Sequence, residues 1–335
     1  MQRQFPSQWL LDIGYYGATG THLLGEVDLN QPLPGAYVTA LAPYRTNPNA
    51  PIARGSDTLK LNSIRPYQGY DAINSQITEY NSNYNGLQVA LQKRIGANSL
   101  LNLNYTWSKA MTNAFNDTSP AQNTYNLAAE YGPARYDRTH IFNANFVYEL
   151  PFFQSQTGFI GHILGGWELS GIANVYTGLP FTVTGVLNDP AGQGVLDGNS
   201  VVSGRPDLVG DPNHASAVSG PIHNNDGIKP WFNTAAYAQV CTTVNSVTTC
   251  PTGARPGDSH PGTVRGPGLW RADVSGFKNI KFNERMRLQF RAEAFNVFNH
   301  TNPDTISTSS TAGTFGKITA YRDPRILQLA LKLYF

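Results

Sequence analysis

Charge is scarce in this chain: only 14% of its 335 residues are Asp, Glu, Lys or Arg, against roughly 25% in soluble globular domains. Lys and Arg number 24 and Asp and Glu 22, so the formal net charge is +2. That balance offers no overall electrostatic case for nucleic acid or for an acidic membrane surface as partner. Long apolar runs are missing as well. No stretch approaches the ~18 consecutive apolar residues of a spanning helix, so helical crossing of a bilayer is excluded, and mean hydropathy is slightly negative. A β-barrel escapes this test, because only every second strand residue meets lipid.

Cysteine is limited to two residues, Cys241 and Cys250, close together in a Thr-, Val- and Asn-rich stretch. A local disulfide closing a loop in an oxidising compartment is one reading, and two unpaired thiols the other. No His or further Cys stands beside them at metal-ligand spacing, which argues against zinc. Nucleophile elbows, phosphate-cradling glycine loops and metalloprotease helix motifs are absent too. The expectation is therefore a non-enzyme without cofactor or metal. Residues 1–6 contain no apolar signal-peptide core, so an exported barrel with this sequence is expected to be a piece of a longer protein.

What fills the space left by charge is Asn, Thr, Ser, Gly and Tyr, with 32 Gly, 22 Pro and 17 Tyr. That mixture favours strands, turns and long polar loops. Period-two alternation is found at residues 8–16, where Trp9, Leu11, Ile13 and Tyr15 share a face. Residues 70–80 form another candidate strand. Residues 86–94 place Leu87, Val89 and Leu91 against Gln88, Ala90 and Gln92, and residues 99–109 place Leu101, Leu103, Tyr105 and Trp107 against Asn102, Asn104, Thr106 and Ser108. A short turn at residues 96–98 joins these two into a hairpin. Residues 140–150 and 164–178 alternate similarly.

The stretch 185–268 has no sustained period and is expected to be a long external loop. Beyond it, residues 269–281 and 285–297 form a predicted hairpin, with its turn near Asn283 and Glu284. In its second strand Arg287, Gln289, Arg291 and Glu293 share one face, opposite Met286, Leu288, Phe290, Ala292 and Ala294. The closing segment 325–335 puts Leu327, Leu329, Leu331, Leu333 and Phe335 at every second position.

Alternation alone also suits a soluble β-sandwich or a secreted propeller. Three features favour a membrane. The segments cluster near the ~10 residues of a tilted spanning strand. Tyr105, Trp107, Tyr148, Trp167 and Tyr334 lie near strand ends, as in interfacial girdles. The non-apolar face carries Asn, Gln, Arg and Glu, which suits a wet lumen and not a packed soluble core. The fold class expected is thus all-β: an antiparallel transmembrane β-barrel, partial, with about nine or ten strands of a larger barrel and long external loops.

Five segments add a family resemblance: Tyr84-Asn85-Gly86-Leu87-Gln88, Gly166-Trp167-Glu168-Leu169-Ser170-Gly171, Thr177-Gly178-Leu179-Pro180-Phe181, residues 291–300, and the end from Phe315-Gly316 to Phe335. From about Tyr70 onward the chain resembles the C-terminal barrel half of TonB-dependent outer-membrane receptors. The nearest likeness is to the Oar-like group, whose members often carry a carboxypeptidase-regulatory-like domain. The resemblance implies a barrel of about 22 strands, an N-terminal plug, energy from the TonB complex through that plug, and uptake of a bulky, scarce nutrient of unspecified kind. No plug or TonB-contact segment is recognisable in this chain. A structural or adhesion-type surface barrel and a passive porin are the alternatives.

Leu327, Leu329, Leu331, Leu333 and Phe335 resemble the signal read by the barrel-assembly machinery. An apolar edge strand can be captured there by strand addition, although the same pattern also suits a plain lipid-facing strand. Arg287, Gln289, Arg291 and Glu293 are expected to face the lumen, with Arg291 and Glu293 a pair that either serves the lumen or is generic. Asp189, Asp197 and Asn199 do not match a calcium loop. His214, His223 and His260 lack the fixed spacing of a metal site, and Trp231, Phe232 and Tyr237 either contact a ligand or pack the loop. The expected surroundings are outer-membrane lipid and the barrel-assembly machinery, without nucleic acid.

Overall fold

A computed structural model describes residues 1–36, 62–96, 98–114, 120–185, 204–213, 230–240, 242–244, 247–249, 255–283 and 285–335. Its centre is a ten-stranded antiparallel sheet. In chain order the strands are β1 (Gln2–Phe5), β2 (Trp9–Asp28), β3 (Asn74–Ile95), β4 (Ser99–Thr112), β5 (Gly132–Pro133), β6 (His140–Glu149), β7 (Trp167–Tyr176), β8 (Leu269–Lys281), β9 (Arg287–Phe295) and β10 (Ile326–Tyr334). Apart from β5, which pairs only with β4, each strand hydrogen-bonds to its neighbour in sequence order. Among the described residues no pairing joins β1 to β10.

Register decides which face each side chain joins, because a one-residue slip would exchange the two faces. Across the sheet, Leu11, Leu91, Leu103, Ala144, Ala173 and Ala272 stand opposite one another in sequence. The adjacent row is Asp12, Ala90, Asn104, Asn143, Asn174 and Arg271. Farther along, Leu169, Gly276, Ala292 and Leu329 form an apolar row beside the polar row Ser170, Ser275, Glu293 and Gln328. The sheet thus has one apolar and one polar face over its width. The apolar face lies open: Leu329 is 71% exposed.

Aromatics mark both margins of the apolar face. At the end of the short 96–98 and 282–286 turns stand Trp9, Tyr148 and Trp167; at the other end stand Tyr15, Trp107 and Trp270. On β8 the rows of Trp270 and of Lys278, which faces Trp167, are eight residues apart. That is about 26 Å along the strand, or about 20 Å of height at a tilt of about 40°, a little less than the ~25 Å apolar band of a barrel. Tyr334 departs from the expected girdle. It shares the polar face with Lys332, and its ring lies 4.3 Å from the Arg287 guanidinium carbon.

Several expected boundaries move. The candidate strands 70–80 and 86–94 are parts of one 22-residue strand, β3, and β2 runs for 20 residues instead of ending near Tyr16. Register shifts between Gly20 and Leu23 and between Leu23 and Gly25 interrupt the pairing of β2 and β3; such bulges bend a strand without ending it. The strand expected at 164–178 begins at Trp167, because Gly158–Leu164 is helical. The described parts of the 185–268 stretch are not a bare loop. They contain the pairs Asp207–Leu208 with Tyr237–Ala238 and Thr242–Val244 with Val247–Thr249.

Candidate functional site

The polar face is built largely of amides that satisfy one another. Asn102 Nδ2 donates to Asn145 Oδ1 at 2.9 Å, and the Tyr176 hydroxyl lies 2.8 Å from Asn143 Oδ1 and 2.9 Å from Asn174 Oδ1, with its one proton shared between them. Farther across, Gln289 Nε2 donates to Asn279 Oδ1 at 2.9 Å, and Arg271 Nε donates to Asp273 at 2.8 Å. An amide used once on each side still has donor and acceptor capacity left. Such amides can hydrogen-bond solutes of either sign.

Arg287, Gln289, Arg291 and Glu293 all lie on this polar face, opposite Tyr334, Lys332, Ala330 and Gln328. Gln289 is a node that also accepts from Arg291 Nε at 2.8 Å and from the Tyr334 hydroxyl at 3.3 Å. The guanidinium of Arg291 lies over Phe277, 4.9 Å from the ring centre. The expected Arg291 and Glu293 pair is therefore replaced by contacts of Arg291 with Gln289 and Phe277. Leu327, Leu329, Leu331 and Leu333 line the apolar face of the edge strand β10, with Phe335 just past its end.

At the end away from the short turns, the long connections pack on one another. Arg205 binds Glu130 through two hydrogen bonds, of 2.7 and 2.8 Å, with both side chains 7% exposed. Its Nε donates to the Ser259 carbonyl at 2.8 Å, and its backbone N–H to Gln122 Oε1 at 2.8 Å. Gln122 in turn accepts from Gln31 Nε2 through its carbonyl at 3.0 Å. Three connections, β2–β3, β4–β6 and β7–β8, are thus tied by buried polar groups. Arg255 forks onto Asp207 at 2.8 Å twice, and Arg265 bonds the buried Asp137 carboxylate. No local pattern signalled these residues, because their partners lie far along the chain.

Beside this polar knot sits a small apolar core of Val183, Phe232, Ala236, Tyr237, Val264 and Ile306, with Phe315 against Phe232 and Tyr237. Phe232 and Tyr237 therefore pack the cap. Burial pushes the Tyr237 hydroxyl up to about 12, against a smaller opposing effect of its 2.6 Å hydrogen bond with Thr263. Trp231 has a different position. With Tyr176, Pro267, Trp270, Phe298 and His300 it lines an open cleft of about 860 Å³.

The cleft wall is held by asparagines. Trp270 N–H donates to Asn302 Oδ1 at 3.0 Å, and Asn302 Nδ2 donates back to the Trp270 carbonyl at 2.9 Å. The side-chain amide thus imitates the next strand. Asn296 similarly exchanges two bonds with the His300 backbone, at 2.9 and 3.0 Å. Trp270 then stacks with Phe298 at 5.2 Å and meets His300 edge-on at 4.9 Å. Aromatic faces with flanking amides suit ligands having both flat apolar and polar parts.

Cys241 and Cys250 lie outside the described residues, as do Asp189, Asp197, Asn199, His214 and His223. His260 is exposed. Among the described residues no group of three or more His, Cys, Asp or Glu side chains is placed to hold a metal ion.

Residues 1–328 match a family model described as an outer membrane beta barrel domain. Comparison with curated proteins finds no match.

Proposed function

The chain belongs to the outer membrane beta barrel domain family and resides in the bacterial outer membrane; from that premise we propose that it is barrel wall and external cap of a TonB-dependent receptor that takes up a bulky, scarce nutrient. The observation carrying this reading is the combination of a wide amide-lined face with a cap whose loops are tied together. A narrow closed barrel would fill its lumen with side chains. A sheet whose inner face is lined by amides instead suits part of a larger circumference around a wet lumen. The Tyr176 and Trp231 side of the cleft is the proposed first contact for ligand, since Tyr176 also belongs to the amide face, and that face is the route past it. Binding and passage, without catalysis, are the proposed activities. In this reading β10 is also the segment offered to the barrel-assembly machinery, since it is the last strand of the sheet, pairing among the described residues with β9 alone, and an edge strand accepts strand addition.

Growth of a deletion strain on iron chelates, cobalamin, glycans and peptides tests the proposal. Loss of growth on one such nutrient is expected, with uptake in the parent strain abolished by a protonophore. Uptake insensitive to protonophore would overturn it in favour of a porin. Full uptake with lost surface attachment would favour a display role, which the solid core of the cap would also serve.

A further inference from the structure

The connection between β6 and β7 lies at the short-turn end yet is neither short nor polar. Residues 150–166 contain no Asp, Glu, Lys or Arg. Within them, the helix Gly158–Leu164 exposes Phe159 at 81% and Ile160 at 62%, together with Ile163 and Leu164, and Phe152 and Phe153 are exposed just before it. At 100° per residue, Phe159, Ile160, Ile163 and Leu164 fall within one arc. Gly161, on the other side, packs against the Gln156 backbone.

The sheet fixes where this helix lies. Lys278 Nζ donates to the Ile163 carbonyl at 3.0 Å and also to the Gly165 carbonyl, and Trp167 Nε1 donates to the Ile163 carbonyl at 3.1 Å. Register puts Lys278 opposite both Trp167 and Phe290, on the apolar face. The helix C-terminus is therefore anchored on the lipid-facing side of the sheet, at the level of the Trp9, Tyr148 and Trp167 girdle. Lys278 is only 7% exposed, its charge spent on carbonyls that end the helix. Gln156 adds a second tie: its Nε2 donates to the Asn279 carbonyl at 2.9 Å, and its Oε1 accepts from Lys281 N–H at 3.1 Å.

From this geometry we infer that the helix Gly158–Leu164 is an interfacial anchor that inserts Phe159, Ile160, Ile163 and Leu164 into the periplasmic leaflet of the outer membrane. Its occupant is phospholipid, because the exposed arc is tied to Lys278 and Trp167 on the lipid-facing side of the sheet. Short turns lie at the periplasmic end of such barrels, and an uncharged apolar helix face beside the girdle belongs at the headgroup and acyl boundary. The anchor does not depend on the transport reading; a porin or a display barrel would use it equally.

The test uses the full chain with Cys241→Ser and Cys250→Ser, refolded into phosphatidylethanolamine and phosphatidylglycerol vesicles. Single cysteines at Phe159, Ile160 or the exposed control Gln154 carry an environment-sensitive fluorophore. Labels at 159 and 160 are expected to be blue-shifted and quenched at least twofold by lipids spin-labelled near the headgroup. They should resist iodide, which quenches the label at 154. Equal iodide quenching at all three positions would overturn the inference by placing the helix in water. Shielding from both quenchers would overturn it too, by showing that protein covers the helix. Heat-modifiable migration identifies folded samples, and either F159C or I160C alone suffices for the reading.

Discussion

Arg205 grips Glu130 across 75 residues of sequence, both nitrogens of its fork engaged and both partners buried. The pair is the centre of the knot that joins three of the long connections. Removing one partner leaves the other charge buried and unpaired, which typically costs about 3–5 kcal/mol. Arg205→Met should therefore open the cap to protease on intact cells while the sheet keeps its heat-modifiable migration. Arg205→Met with Glu130→Leu should lose less than either single change. A cap equally resistant in all variants would show that the knot is dispensable.

Tyr237 predicts how the cap responds to alkali. Its folded value of about 12 lies above the ordinary 10.0, so the folded cap holds this proton more tightly than the unfolded chain does. The resulting stability is complete below pH ~10 and is lost as pH rises toward ~12. Protease sensitivity of the cap should climb across that window. Tyr237→Phe, which cannot ionise, should flatten the climb despite losing the bond to Thr263.

Gly166 explains part of one resemblance segment. Its φ is +72°, and a Cβ there would collide with the Gln156 amide and the Asn279 carbonyl. Gly166→Ala should cost about 1–3 kcal/mol from the backbone alone, with the collision added. Gly276→Ala is the control, since its Cβ would meet nothing closer than the Ala292 oxygen at 4.0 Å. Urea midpoints of the two variants in detergent should differ, G166A being far lower. Equal midpoints would mean that the helix Gly158–Leu164 is not held as described.

How far the sequence could be read follows from where the environment imposes a pattern. Strands β6, β8, β9 and β10 were legible because lipid on one face and water on the other enforce alternation residue by residue. The upper part of β3 was legible only as the separate candidate strand 70–80, and that of β2 was missed. Bulges interrupt the pairing there, and no strict alternation survives them. The cap was illegible for another reason: Glu130, Arg205, Val183 and Ile306 find partners tens of residues away, and no local period encodes that. The helix Gly158–Leu164 was hidden likewise, being fixed by Lys278 from a strand that follows much later. Asn302 could have been suspected from its place beside Pro303, but only the structure reveals it as a strand mimic for Trp270.

Alternate side chains of the sheet meet lipid and water. Single cysteines from Leu327 to Leu333, in the Cys241→Ser and Cys250→Ser background, test it directly with a membrane-impermeant thiol reagent on the reconstituted full chain. Positions 328, 330 and 332 should react, while 327, 329, 331 and 333 should resist and be quenched by lipid-borne probes. Uniform reactivity, or the opposite alternation, would contradict the account.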